Sequence, residues 1–139
     1  MKQKISRLSA FLLALIALFN MALSAGAVVR ASDYFAVTEV WATSRGNGKF
    51  IVEFDIGAKR TMQELGAEKI YIWEQQSDGS YENVKTYTSG LIDKNTAAAY
   101  RMITYSGTPG VKYYATVVLY AKDSSGSEKL YSSTNVITA

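Results

Sequence analysis

The chain contains no histidine and no cysteine. That alone removes Ser-His-Asp and Cys-His nucleophilic catalysis, and with them the usual zinc and copper ligand sets. No Ser-x-x-Lys stands at the start of a helix-forming stretch, so a Ser-Lys hydrolase has no foothold. The 12 acidic residues always yield some pair of carboxylates for glycoside chemistry. Nothing in their spacing marks one pair as special. Asp123 and Glu128 bracket a polar Ser/Gly run with two carboxylates. Calcium wants several oxygens close together, and a plain hairpin loop is the better reading. Arg45-Gly46-Asn47 lacks the carboxylate of an integrin-type Arg-Gly-Asp. Catalysis, metal binding and a bound cofactor are therefore not expected.

What rises above background is aromatic. The chain has ten tyrosines and two tryptophans, and Tyr and Trp dominate binding hot spots and stack on sugar rings. Their placement depends on strands. Phe50, Val52, Phe54 and Ile56 alternate through Lys49 to Ile56, the period of a half-buried strand. Phe35 to Thr43 reads as its partner across Asn47-Gly48, a tight-turn pair. Ala58 to Gly66 reads as a connection with one helical turn, Met62 and Leu65 tucked beneath. Glu68 to Gln75 is a strand apolar on both faces. The turn Ser77 to Ser80 leads to a hairpin partner at Tyr81 to Thr88. Ala97 to Tyr105, Val111 to Lys122 and Glu128 to Thr138 complete seven strands, with no repeat, linker or second domain. Short strands punctuated by turn residues predict an all-β antiparallel sandwich or barrel.

The N-terminus reads differently. Lys2, Lys4 and Arg7 precede the apolar run Leu8 to Leu23, and Ala25-Gly26-Ala27 has the small-x-small pattern of a signal peptidase site. This predicts a secretory signal over residues 1–27. Val29-Arg30-Ala31 offers a second cut, which leaves 32–139 as the domain. An uncleaved anchor is the rival, but a spanning helix wants about 20 apolar residues, and Asn20 interrupts this run. Removing the leader removes three cations and no anion, so the +3 charge of the full chain vanishes. No clustered basic face remains for nucleic acid, and no membrane contact is expected after cleavage. Export without cysteine fits a Gram-positive habit.

Pro109-Gly110-Val111-Lys112-Tyr113, followed by alternating Ala115, Val117, Leu119 and Ala121, resembles the entry to strand F of fibronectin type III domains. The resemblance implies a seven-stranded Ig-like sandwich and assigns Tyr113 to a tyrosine corner. Lys122 to Ser127 resembles that family's F–G loop, and Ser132 to Thr138 its last strand. The family's Trp in strand B is absent here, and Gly107 stands where a leucine is common. The pairing it implies sets Glu68–Gln75 beside Val111–Lys122. Tyr71, Trp73, Tyr114 and Tyr120 would then share an outer face. Expected from this is a secreted or cell-surface, non-catalytic binding module. Its partner is an extracellular protein, with a glycan stacked on the four aromatics, or a purely structural role, as the alternatives.

Overall fold

The computed structural model describes residues 32–139, which form one compact unit. The expected leader lies outside the described residues. Among the described residues all regular structure is β: β1 (Phe35–Gly46), β2 (Lys49–Gln75), β3 (Tyr81–Tyr87), β4 (Ile92–Ser106), β5 (Lys112–Asp123), β6 (Gly126–Ser133) and β7 (Ile137–Thr138). They make one antiparallel seven-stranded sheet, curled around its core as a half-barrel.

The 27-residue β2 organises everything. Its first half lies between β1 and β4, and its second half between β5 and β3. Run straight, such a strand would span about 90 Å. It folds over instead. The Phe50 ring, near its start, lies 5.1 Å from that of Tyr113, and Tyr113 pairs with Glu74 near its end. Two irregularities make this possible. Between Gly57 and Met62, β2 advances five residues while β4 advances two. Between Ala67 and Lys69 it gains one residue on β5. Such bulges bend a strand and sharpen its twist.

The helical turn expected over Ala58 to Gly66 is therefore not formed: the stretch is strand throughout. Its polar residues looked like a break, but β4 begins at Ile92, five residues earlier than expected, and supplies the ladder. Met62 and Leu65 are fully buried, as expected. The expected last strand, Glu128 to Thr138, is instead β6 and β7. Between them the Asn135 carboxamide replaces a strand neighbour. Its Oδ1 accepts from the Ala42 amide at 2.9 Å and its Nδ2 donates to the Ala42 carbonyl at 3.0 Å. The count of seven thus agrees for compensating reasons, two expected strands fusing and one dividing.

Phe50, Val52, Phe54 and Ile56 of β2 face Tyr113, Ala115, Val117 and Leu119 of β5 in one core cluster. Ile70 and Ile72 point inward with them, which turns Tyr71 and Trp73 outward and resolves the ambiguous parity of that stretch.

Candidate functional site: two outer sheet faces

The second half of β2 and the strand β5 run side by side with Trp73 opposite Tyr114 and Tyr71 opposite Thr116. Alternation puts all four side chains on the outer face. Three of the four expected aromatics meet there. Tyr71 and Trp73 have ring centroids 6.1 Å apart, and Trp73 and Tyr114 lie 6.0 Å apart and 14° from parallel. The indole N–H donates to Thr116 Oγ1 at 3.1 Å, which fixes the Trp73 ring, and Thr116 Oγ1 lies 3.3 Å from Ser133 Oγ. Each ring is half-buried by its neighbours. Tyr120 is not part of this cluster. Its register opposite Gly66 and Lys129 places it at the far end of the face.

Tyr81 is the member that sequence reasoning missed. Its ring stands edge-on to Tyr114 at 4.9 Å. The signal was available: the turn at Ser77 to Ser80 pairs Tyr81 with Gln75, on the same parity as Trp73. Tyr131, 69% exposed, was likewise missed and sits opposite Val118. Lys129 and Glu68 close this end with a 2.6 Å ion pair.

A second outer face, formed by β1, the first half of β2, and β4, was not foreseen at all. Tyr100, Met102 and Val37 are 48%, 53% and 54% exposed. In register they flank Asp55, Glu53 and Gly57, with Trp41 opposite Glu53 on the β1 side. Tyr100 donates to Glu53 Oε1 at 2.6 Å, and this bond, before burial, holds the phenol above its usual pKa. Glu39 stands directly opposite Asp55. Like charges so placed destabilise a sheet.

Tyr113 is wholly buried in the core. The Thr108 amide donates to its hydroxyl at 2.8 Å, and the hydroxyl donates to Glu74. Burial, then Glu74, pushes this phenol up. The Tyr113 ring lies directly against Gly107. A Cβ there would lie 2.6 Å from the phenol carbon and oxygen of Tyr113.

The two carboxylates around the polar hairpin are engaged within the fold. Asp123 accepts from Arg60 Nε at 2.8 Å and from the Ser125 amide at 2.8 Å, and Arg60 holds its carboxyl below the usual range. Glu128 accepts from Ser32 and Tyr34. Among the described residues no group of three or more acidic, His or Cys side chains is placed to hold a metal, and no helix is long and apolar enough to cross a membrane. No protein-family model matches the chain, and no curated protein matches it.

Proposed function

We propose that this is a non-catalytic binding module acting outside the cytoplasm, and that it contacts a protein partner through the outer face of β1, β2 and β4. The observation that carries this reading is the exposure of Tyr100, Met102 and Val37, each about half open to solvent on one sheet face. Aromatic residues and Met are enriched at the centres of protein interfaces. Glu39, Glu53 and Asp55 among them favour a partner with a basic complement, since such charges steer encounter and select partners.

The fold proposed for the module is an Ig-like sandwich of the fibronectin type III kind. Pairing supports it. With the two halves of β2 taken as strands B and C, β4 as E, and β5 and β6 as F and G, B lies beside E and C beside F. The hydroxyl of Tyr113 bonding back to Thr108 is the contact that family's tyrosine corner makes.

A photocrosslinking amino acid at position 102, in cells that export the protein, tests the partner reading. A discrete adduct identified by mass spectrometry, and lost with Tyr100→Asp, is expected. A second reading, a glycan site, is favoured by the near-parallel Trp73–Tyr114 pair beside the Thr116 and Ser133 hydroxyls. No adduct at 102, together with a saturable glycan-induced change in tryptophan fluorescence that Trp73→Ala abolishes, would replace the first reading by this one.

A further inference from the structure

Residues 32 to 34 are held by both side-chain and backbone hydrogen bonds. Ser32 Oγ accepts from the Phe35 amide at 2.6 Å and from the Tyr34 amide at 3.2 Å, while donating to Glu128 Oε2 at 2.8 Å. The three successive carbonyls are all taken by one stretch of β2. Ser32 O accepts from Lys59 Nζ, Asp33 O from Arg60 Nη1 at 3.5 Å, and Tyr34 O from the Lys59 amide at 2.9 Å. The Arg60 guanidinium also lies over the Tyr34 ring, 5.1 Å from its centroid, and binds Asp123. Glu128 meets only neutral donors in this set, the Ser32 hydroxyl and the Tyr34 amide at 3.2 Å.

We infer that the export leader is removed after Ala31, not after Ala27, and that the new α-ammonium of Ser32 is the cation that Glu128 is placed to receive. The inference rests on the reading of the chain as exported. Hydrolysis of the Ala31–Ser32 amide by water leaves a carboxylate on the released Ala31 and an amine on Ser32, protonated at neutral pH. Val29 and Ala31 stand at the two positions a signal peptidase reads, with the small residue Ala31 at the cut. The Ser32 nitrogen is three bonds from its Oγ, hence within about 4 Å of it by covalent geometry, and Oγ already touches Glu128. A cut after Ala27 would put the ammonium four residues away, as far as about 13 Å along an extended chain. The groups that face this terminus are Lys59 and Arg60 from β2, Asp123 from β5, Glu128 from β6, and its own neighbours Asp33 and Tyr34. Of the carboxylates, Asp123 already holds Arg60.

The test is the N-terminus of the protein recovered from the medium of cells expressing the whole chain from Met1, read by intact mass and N-terminal sequencing. Ser32 as the first residue is expected. Val28 would overturn the inference and leave export standing. A chain that keeps Met1 and stays with the cells, with none in the medium, would remove export and the inference together. The ion pair is then tested on the recovered protein by selective acetylation of the α-amine, which titrates well below lysine. Its thermal midpoint should fall by about 1 to 4 °C, the range of a partly exposed pair in a domain this size. The Glu128→Gln protein should lose less than about 1 °C on the same treatment. Equal losses in the two proteins would overturn the pairing with Glu128.

Discussion

Tyr113→Phe removes one oxygen from a fully buried ring and leaves its apolar contacts in place. Two hydrogen bonds go with it, the amide of Thr108 and the carboxylate of Glu74. A bond to a charged group is worth about 1.5–3 kcal/mol and a neutral one about 1 kcal/mol. Thr108 is exposed and Glu74 half-exposed, so both regain some water, and the net cost is about 2–3 kcal/mol. For a domain of this length that is a fall in melting temperature of about 10–15 °C. Thermal unfolding followed by near-ultraviolet circular dichroism reads it directly. Glu74→Gln should cost less, because the amide oxygen still accepts, and the double variant should cost little more than Tyr113→Phe alone. A pH dependence separates this bond from generic packing. The folded state raises the Tyr113 pKa, so its contribution is present below the unfolded value near 10 and is lost as pH rises through the folded value. Wild type should therefore lose more stability than Tyr113→Phe above pH about 10. A fall below about 3 °C, or identical alkaline profiles, would refute the network as a support of the fold.

Gly66→Ala would bring a Cβ to 2.0 Å from the Leu91 carbonyl, which itself accepts from the Ala67 amide. It should cost at least about 3 kcal/mol in urea unfolding, and a neutral result would mean that the β2–β4 crossing is wrongly placed. Tyr114→Ser loses ring contacts with Trp73 and Tyr81 and should cost about 1–3 kcal/mol. Tyr120→Ser should cost less than about 1 kcal/mol, and equal costs would put both residues in one cluster. Asp123 has its pKa lowered, first by Arg60, so its contribution is present above the unfolded value near 3.9 and lost as pH falls through the folded one. Asp123→Asn should flatten part of the acid denaturation curve below pH about 4, and an unchanged curve would deny the pair any role in stability.

Alternation was legible wherever one face of a strand is apolar and the other polar. Phe50 to Ile56 and Tyr113 to Leu119 show their inward faces without further help. Ile70-Tyr71-Ile72-Trp73 does not, because both faces are apolar and only the packing partner decides. The continuity of β2 through Ala58 to Gly66 was invisible for a related reason. Local composition there favours a loop, and the ladder comes from Ile92 to Thr96 in a different part of the chain. Register is also nonlocal, so Trp73 beside Tyr114 could be inferred only by borrowing a pairing from a family. The exposed Tyr100 and Met102 were overlooked because Arg101 between them interrupts the expected apolar inner row. That guanidinium turns aside instead to the Gly90 carbonyl and Asp93.

The two outer faces differ in what their large side chains already cover. Ile51 and Val118 are 5% and 2% exposed yet stand apart from the core cluster, on the outer side of the sheet. Each can be dry only because outer-face side chains lie over it, and burying such a residue is worth about 1.5–3 kcal/mol. Aromatics on these faces therefore stabilise the sheet before any partner arrives. That accounts for Tyr71, Trp73 and Tyr114, which are half-buried against one another. It leaves Tyr100, Met102 and Val37 unaccounted for, since half of each is in water. Beside them Glu39 opposes Asp55 in a pairing that sheet stability disfavours. Exposed apolar surface and a like-charge pair in the same patch both cost the isolated domain, and the basic, apolar partner surface proposed above would relieve both.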